Sequence, residues 1–360
     1  MEYSCFASCA FGLEALTALE LKKLGLNGVS VRDARVYFCA DEEGIARANL
    51  WLRTADRVYI VLHEFTAASF EELFEVVRGI AWEEFIGAKA AFPVNADSVA
   101  STLFSVSDIQ SVGKKAVVKR LMEAHKVRVL PETGPKHDIH LKILRNSVCA
   151  CINTSGPGLN RRGYRAANVA APIRETLAAG LVMLTGWKEG CFADPMCGSG
   201  TIAIEAALIG AQRAPGLTRA FDAQHWGSFA QPFERQREAA GQQFKPMQPV
   251  FASDTDKKAL AAAARNAQTA GVDIKIFHAD VKQFKRQECV VLTNPPYASR
   301  LGEKDSVHRL YSDMGRSFAA VKNKSVITAD DQFERWFGKR ASKKRKLYNG
   351  NIRCTLFQYF

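Results

Sequence analysis

Asp194-Pro195-Met196-Cys197-Gly198-Ser199-Gly200-Thr201 is the stretch on which the fold turns. Cys191-Phe192-Ala193 precedes it and Ile202-Ala203-Ile204-Glu205-Ala206-Ala207 follows it, so it reads as a short strand, a Gly-rich turn and a helix. Open α/β sheets bind ligands at the carboxyl ends of their strands. Gly198 and Gly200 let the backbone approach a ligand that a Cβ would repel. The turn is neither G-x-G-x-x-G nor a Walker loop ending in Gly-Lys-Ser/Thr. An acid at its entrance would repel phosphate. Asp194 suits a cationic group instead, and the amides of a turn built from Met196, Cys197, Gly198, Ser199, Gly200 and Thr201 suit a carboxylate.

The same alternation continues downstream. Strands are expected at 250–253, 274–278, 290–292, 325–328 and 355–359, with an Ala-rich helix at 257–270. This is the pattern of a doubly wound, mostly parallel sheet. Asp254 ends the second strand, where a carboxylate can accept both hydroxyls of a ribose. Asp280 ends the third and can accept from an adenine amino group. Asp256 reads as a helix N-cap. A sugar site, a base site and a site for a cation and a carboxylate together fit S-adenosylmethionine.

Asn294-Pro295-Pro296-Tyr297 follows the fourth strand. An exocyclic base amine is a poor nucleophile, because its lone pair is delocalised into the ring. The Asn294 side-chain oxygen and the Pro295 carbonyl can accept from that NH₂ and turn the lone pair toward a methyl donor. Pro295 and Pro296 fix the turn and bring no competing N–H. Tyr297 is expected to stack on an extruded base. The motif does not separate guanine from adenine. A cytosine-C5 mechanism would need a cysteine where Thr293-Asn294 stands.

The 360 residues exceed what one core usually accommodates, so several domains are expected. No apolar run is long enough to span a bilayer and no secretory signal is apparent, which points to the cytoplasm. The nine cysteines contain no C-x-x-C pair, so reduced thiols and no bound metal are expected. His63, His125 and His225 have no spacing that argues for a metal or a triad. A net charge of +12 favours a nucleic-acid partner.

Residues 1–165 read as small α+β units. Helices are expected at 12–21, 44–52, 70–79 and 112–125, and strands within 29–40 and at 57–65, 91–96, 139–144 and 147–152. Arg161-Arg162-Gly163-Tyr164-Arg165 marks the junction to the second half, with a helix from 173 to 184 beyond it. Arginines interleaved with an aromatic suit RNA contact, so Arg161, Arg162, Tyr164 and Arg165 are candidates for it. Residues 211–248 interrupt the alternation, and the basic run 339–346 reads as a solvated stretch or a nucleic-acid contact.

The segments 159–165, 171–179 and 194–207 resemble the THUMP-containing RNA methylases, and best the bacterial 23S rRNA guanine-N2 methyltransferase group. Gly12-Leu13-Glu14, residues 49–58 and Lys346-Leu347-Tyr348-Asn349-Gly350 agree with that group. The resemblance implies a ferredoxin-like piece at 1–55, a THUMP RNA-binding module at 56–155, a linker at 156–175 and a Rossmann-like catalytic domain at 176–360. It implies N2-methylguanine as product, S-adenosylmethionine as methyl donor, and 23S rRNA or its assembly intermediate as partner. A tRNA guanine-N2 methylase, an adenine-N6 methylase and a non-catalytic RNA-binding protein are the alternatives.

Overall fold

The computed structural model describes all residues except 33, 166–172 and 298–303, and of Lys304 only the backbone. Part of the expected linker, 166–172, therefore lies outside the described residues.

The first half is β1 (Tyr3–Cys9), α1 (Glu14–Lys23), β2 (Asn27–Arg32), β3 (Arg35–Ala40), α2 (Glu42–Trp51), β4 (Ala55–Thr66), α3 (Phe70–Gly79), β5 (Val94–Val99), α4 (Val106–His125), β6 (Asp138–Leu144) and β7 (Ser147–Asn153). Its strands form one seven-stranded sheet in the order β2-β3-β1-β4-β7-β6-β5. Strand β4 is its hinge, pairing antiparallel with β1 on one edge and with β7 on the other. Two small units therefore share a single sheet. Period-2 alternation sends Cys5, Ala7, Phe38 and Ile60 to the larger core and Phe6, Tyr37 and Tyr59 to the opposite face.

The second half is α5 (Glu175–Leu184), β8 (Phe192–Asp194), α6 (Thr201–Gly210), α7 (Ala230–Gln242), β9 (Val250–Asp254), α8 (Lys257–Ala270), β10 (Lys275–His278), β11 (Val290–Thr293), α9 (Lys304–Ser317), β12 (Lys324–Thr328), α10 (Phe333–Phe337), β13 (Lys343–Asn349) and β14 (Ile352–Tyr359). The sheet order is β10-β9-β8-β11-β12-β14-β13. Pairs among β10, β9, β8, β11 and β12 are parallel, and β14 returns antiparallel between β12 and β13. This is a doubly wound α/β domain. Alternate residues bury opposite faces: Phe192, Leu292, Ile327 and Leu356 under α5, α6 and α8, and Ala193, Val291, Val326 and Phe357 under α9 and α10.

Several elements differ from the sequence reading. The basic run is solvated, with Lys343, Lys344 and Lys346 exposed, but its residues from Lys343 onward form the regular strand β13. These exposed lysines protect a sheet edge. The thiols are not all reduced, because Cys191 and Cys289 form a disulfide. These residues stand just before the paired β8 and β11, where Val290 lies opposite Phe192. That register brings them abreast at a Cα–Cα distance of 4.7 Å. Cys191, Glu288 and Cys289 also lie close enough to hold an ion, but the disulfide occupies both sulfurs.

The insertion at 211–248 clamps the two halves together. Helix α7 packs on α2, and Gly216 approaches Leu50 so closely that a Cβ would sit 2.9 Å from its backbone. Arg219 donates to the carbonyls of Ser155 and Gly158 at 3.1 and 2.7 Å, fixing the 155–158 turn. Among the described residues no helix is long and apolar enough to cross a membrane.

Candidate active site

The carboxyl ends of β8, β9, β10 and β11 surround a cleft of about 480 Å³. Asp194, Met196, Cys197, Gly198, Ser199, Thr201, Asp254, Asp280, Asn294 and Pro296 all line it. Of the residues expected to form the site, Gly200, Pro295 and Tyr297 do not.

Gly198 adopts φ +52°, and a Cβ there would project into open space. Gly200 has a different task. It adopts φ +83°, and a Cβ would lie 3.0 Å from that of Ala263, so its missing side chain lets α6 pack against α8. Three of the turn amides are engaged within the protein. Cys197 N donates to Ser253 O at 2.9 Å, Gly198 N to Asp254 Oδ2 at 2.8 Å and Gly200 N to Cys197 O at 2.8 Å. Asp254 thus braces the turn as well as facing the cleft, and its Oδ1 accepts from Asp256 N. Asp256 caps α8 as expected, accepting from Lys258 N at 2.8 Å. Asp280 accepts from Lys282 N at 2.9 Å, which fixes its carboxylate at the end of β10.

Asp194 is 1% exposed, and burial pushes its carboxyl up to about 7. Thr293 Oγ1, one strand away, donates to its Oδ1 at 2.9 Å. This bond links the Gly-rich turn to the Asn-Pro-Pro-Tyr segment and orients the acid. Sequence reasoning missed Thr293, whose side chain carries no motif. It also missed Ile173, Thr255, Ala259, Val281 and Leu310 in the lining. Val281, directly after the strand-end acid, was the readable one. Leu310 lies on α9, a helix the sequence reading did not assign.

Asn294 immediately follows β11, and its side-chain oxygen is buried without a hydrogen-bond partner. A buried carbonyl oxygen left unpaired costs about 1–3 kcal/mol. An unpaired oxygen on a residue that lines the cleft is suited to accept from what enters. Tyr297 is placed differently from expectation. Its ring packs beside the core under α5 and α6, and its hydroxyl accepts from Cys354 Sγ at 3.4 Å. Burial raises its hydroxyl well above the usual phenol range. In this arrangement Tyr297 braces the loop against β14.

The arginine cluster needs correction. Arg162 and Tyr164 are 3% exposed and cannot stack on RNA. Arg162 donates to Leu159 O at 2.7 Å, to the Arg53 carbonyl and to Glu205 at 3.4 Å. The Tyr164 hydroxyl donates to the same Glu205 oxygen at 3.0 Å. Arg165 ties Glu175 Oε1 (2.8 Å) to Thr201 Oγ1 (3.2 Å), joining the start of α5 to the first residue of α6. Alone among the four, Arg161 is exposed. The cluster is basic because it crosses a buried interface that holds acids, a feature a charge pattern cannot distinguish from a nucleic-acid contact.

The fold and the cleft together define a class I-type methyltransferase architecture. The chain belongs to the RMKL-like methyltransferase family, whose methyltransferase-domain model matches residues 162–358. The RlmL ferredoxin-like domain matches residues 4–59 and the THUMP domain 67–153. It is 40% identical to "Putative RNA methyltransferase YpsC" of Bacillus subtilis, over 100% of this chain and 96% of that protein. It is 35% identical to ribosomal RNA large subunit methyltransferase K/L of Syntrophotalea carbinolica, over 98% of this chain and 53% of that one. The chain thus spans about half the length of that relative. Among solved structures it superposes on SMU.472, "a putative methyltransferase complexed with SAH", with a TM-score of 0.94 and 38% identity, covering 100% of this chain and 98% of that one.

Proposed function

We propose that this protein transfers a methyl group from S-adenosylmethionine to an exocyclic base amine of RNA, and that the amine is guanine N2 of 23S rRNA. The unpaired, buried side-chain oxygen of Asn294 at the rim of the cleft carries this reading. The donor set fits the cofactor: Asp254 and Asp280 are carboxylate acceptors at successive strand ends, Gly198 leaves room, and Asp194 offers a charge for a cation. Bound there, S-adenosylmethionine supplies an electrophilic methyl group.

The chain's own residues do the rest. Asn294 accepts from the target NH₂ and withdraws the amine from conjugation with its ring. Pro296 keeps that rim of the cleft free of a competing backbone donor. Thr293 orients Asp194 by donating one hydrogen bond to its Oδ1. No covalent intermediate is required, because the amine attacks directly. The THUMP match, the net charge of +12 and the names of the full-length relatives support RNA, and the K/L name supports the large-subunit rRNA.

The test is transfer of labelled methyl from S-adenosylmethionine to 23S rRNA by wild-type protein and by Asn294→Ala. The reading expects transfer by the wild type, and loss of at least about 100-fold in the variant with RNA affinity kept. Equal transfer by both would refute the role of Asn294.

A further inference from the structure

A second pocket of about 480 Å³ lies where the N-terminal unit meets the tip of the β13–β14 hairpin. Phe11, Asp56, Arg174, Thr176, Tyr348 and Asn351 line it. Its volume is within the roughly 300–1,000 Å³ usual for small-molecule sites. None of these residues takes part in the cofactor cleft, yet the two sites adjoin. Ile173 lines the cleft and Arg174, the next residue, lines the pocket. The hairpin that carries Tyr348 also carries Cys354, which donates to Tyr297 of the Asn-Pro-Pro-Tyr segment.

The lining has the chemistry of a nucleotide site. Phe11 and Tyr348 are large aromatics left 63% and 38% exposed. They meet edge to face, with centroids 6.0 Å apart and planes at 82°, so one ring face remains open for a base. Arg174 is exposed on the wall and suits a phosphate. Asp56 is fixed by the Thr176 hydroxyl, which donates to its Oδ1 at 3.1 Å. An ionised carboxylate only accepts hydrogen bonds. Guanine presents two adjacent donors, N1–H and N2–H, on its Watson–Crick edge. Adenine and cytosine each present a donor beside an acceptor, and uracil a single N–H between carbonyls.

We infer that this pocket receives a guanine nucleotide of the RNA strand flanking the methylated base, stacked on Tyr348 with the Phe11 ring beside its edge, and read by Asp56. The inference rests on the reading that RNA is the substrate. It gives the enzyme a sequence-reading contact outside the catalytic cleft.

The direct probe is a Phe11→Trp variant titrated with GMP, AMP, CMP and UMP while its fluorescence is followed. A saturating change is expected with GMP at a concentration at least about tenfold below that needed for the other three. Asp56→Asn in the same background removes the preference. Absence of saturation with all four, or equal response to all four, overturns the inference. In parallel, Tyr348→Ala is expected to weaken binding of a 23S rRNA transcript by at least about fivefold. Its affinity for S-adenosylhomocysteine stays unchanged, which shows that the variant is folded. An unchanged RNA affinity overturns the inference. Failure of the wild type to methylate any RNA would count against the proposed function alone, because the nucleotide titration reads the pocket without methyl transfer.

Discussion

Replacing Arg162 by Met separates a structural arginine from an RNA-binding one. In the wild type this guanidinium donates to two carbonyls and to Glu205, all inside the contact between the halves. Met fills similar space but leaves Glu205, which is fully buried, with the Tyr164 hydroxyl as its one side-chain hydrogen-bond donor among the described residues and its Oε2 already unpaired. Removing one partner of a buried ion pair costs about 3–5 kcal/mol. With about 2.1 cal/mol/K per residue of unfolding entropy over 360 residues, Tm falls by about 4–7 °C. The deficit also depends on pH. Burial raises the Glu205 carboxyl above its ordinary value, while Arg162 and Arg53 oppose that shift. Loss of Arg162 raises it further. A raised folded-state carboxyl stabilises the fold at low pH and loses that contribution as pH rises. The Tm deficit of Arg162→Met is therefore larger at pH 8 than at pH 5. Scanning calorimetry at both pH values measures it. A Tm within about 1 °C of wild type at both, together with weakened RNA binding, would refute the structural assignment.

The two glycines of the turn are expected to separate in the same way. Gly198→Val weakens S-adenosylhomocysteine binding by at least about tenfold, with a stability loss of only about 1–2 kcal/mol from its φ of +52°. Gly200→Ala costs about 2–4 kcal/mol through its φ of +83° and the Ala263 contact, read by urea denaturation. Asp194, held up to about 7, gives a third prediction. Affinity for S-adenosylmethionine rises by up to about tenfold per pH unit toward 7 and levels off above it, by calorimetric titration, and Asp194→Asn flattens the profile. Without ligand the sign reverses. The raised folded-state value contributes stability below the unfolded value of 3.8 and loses it as pH passes through about 7. Asp194→Asn therefore gains Tm relative to wild type between pH 5 and pH 8.

Elements with a strong period were legible in the sequence. Lys257–Ala270 carries apolar residues at helical spacing and an N-cap acid, and it forms α8 with those bounds. The inner parallel strands β8, β11 and β12 were legible as short, largely buried runs between turn signals. Strand β13 was not, because an edge strand exposes its lysines and reads as a solvated charged stretch. The cleft acids were legible because a carboxylate at a strand end has few structural uses. The roles of Gly200, Tyr297 and Arg162 depend on Ala263, Cys354 and Glu205, which lie 63, 57 and 43 residues away in sequence. No local pattern encodes such contacts.

Mass spectrometry of nucleosides from 23S rRNA methylated in vitro by the wild-type protein tests the central claim most directly. N2-methylguanosine that appears with wild type and is lost with Asn294→Ala is the predicted result. Methyl groups found on adenine N6, or no methylated nucleoside from an RNA-binding and cofactor-binding protein, would contradict it.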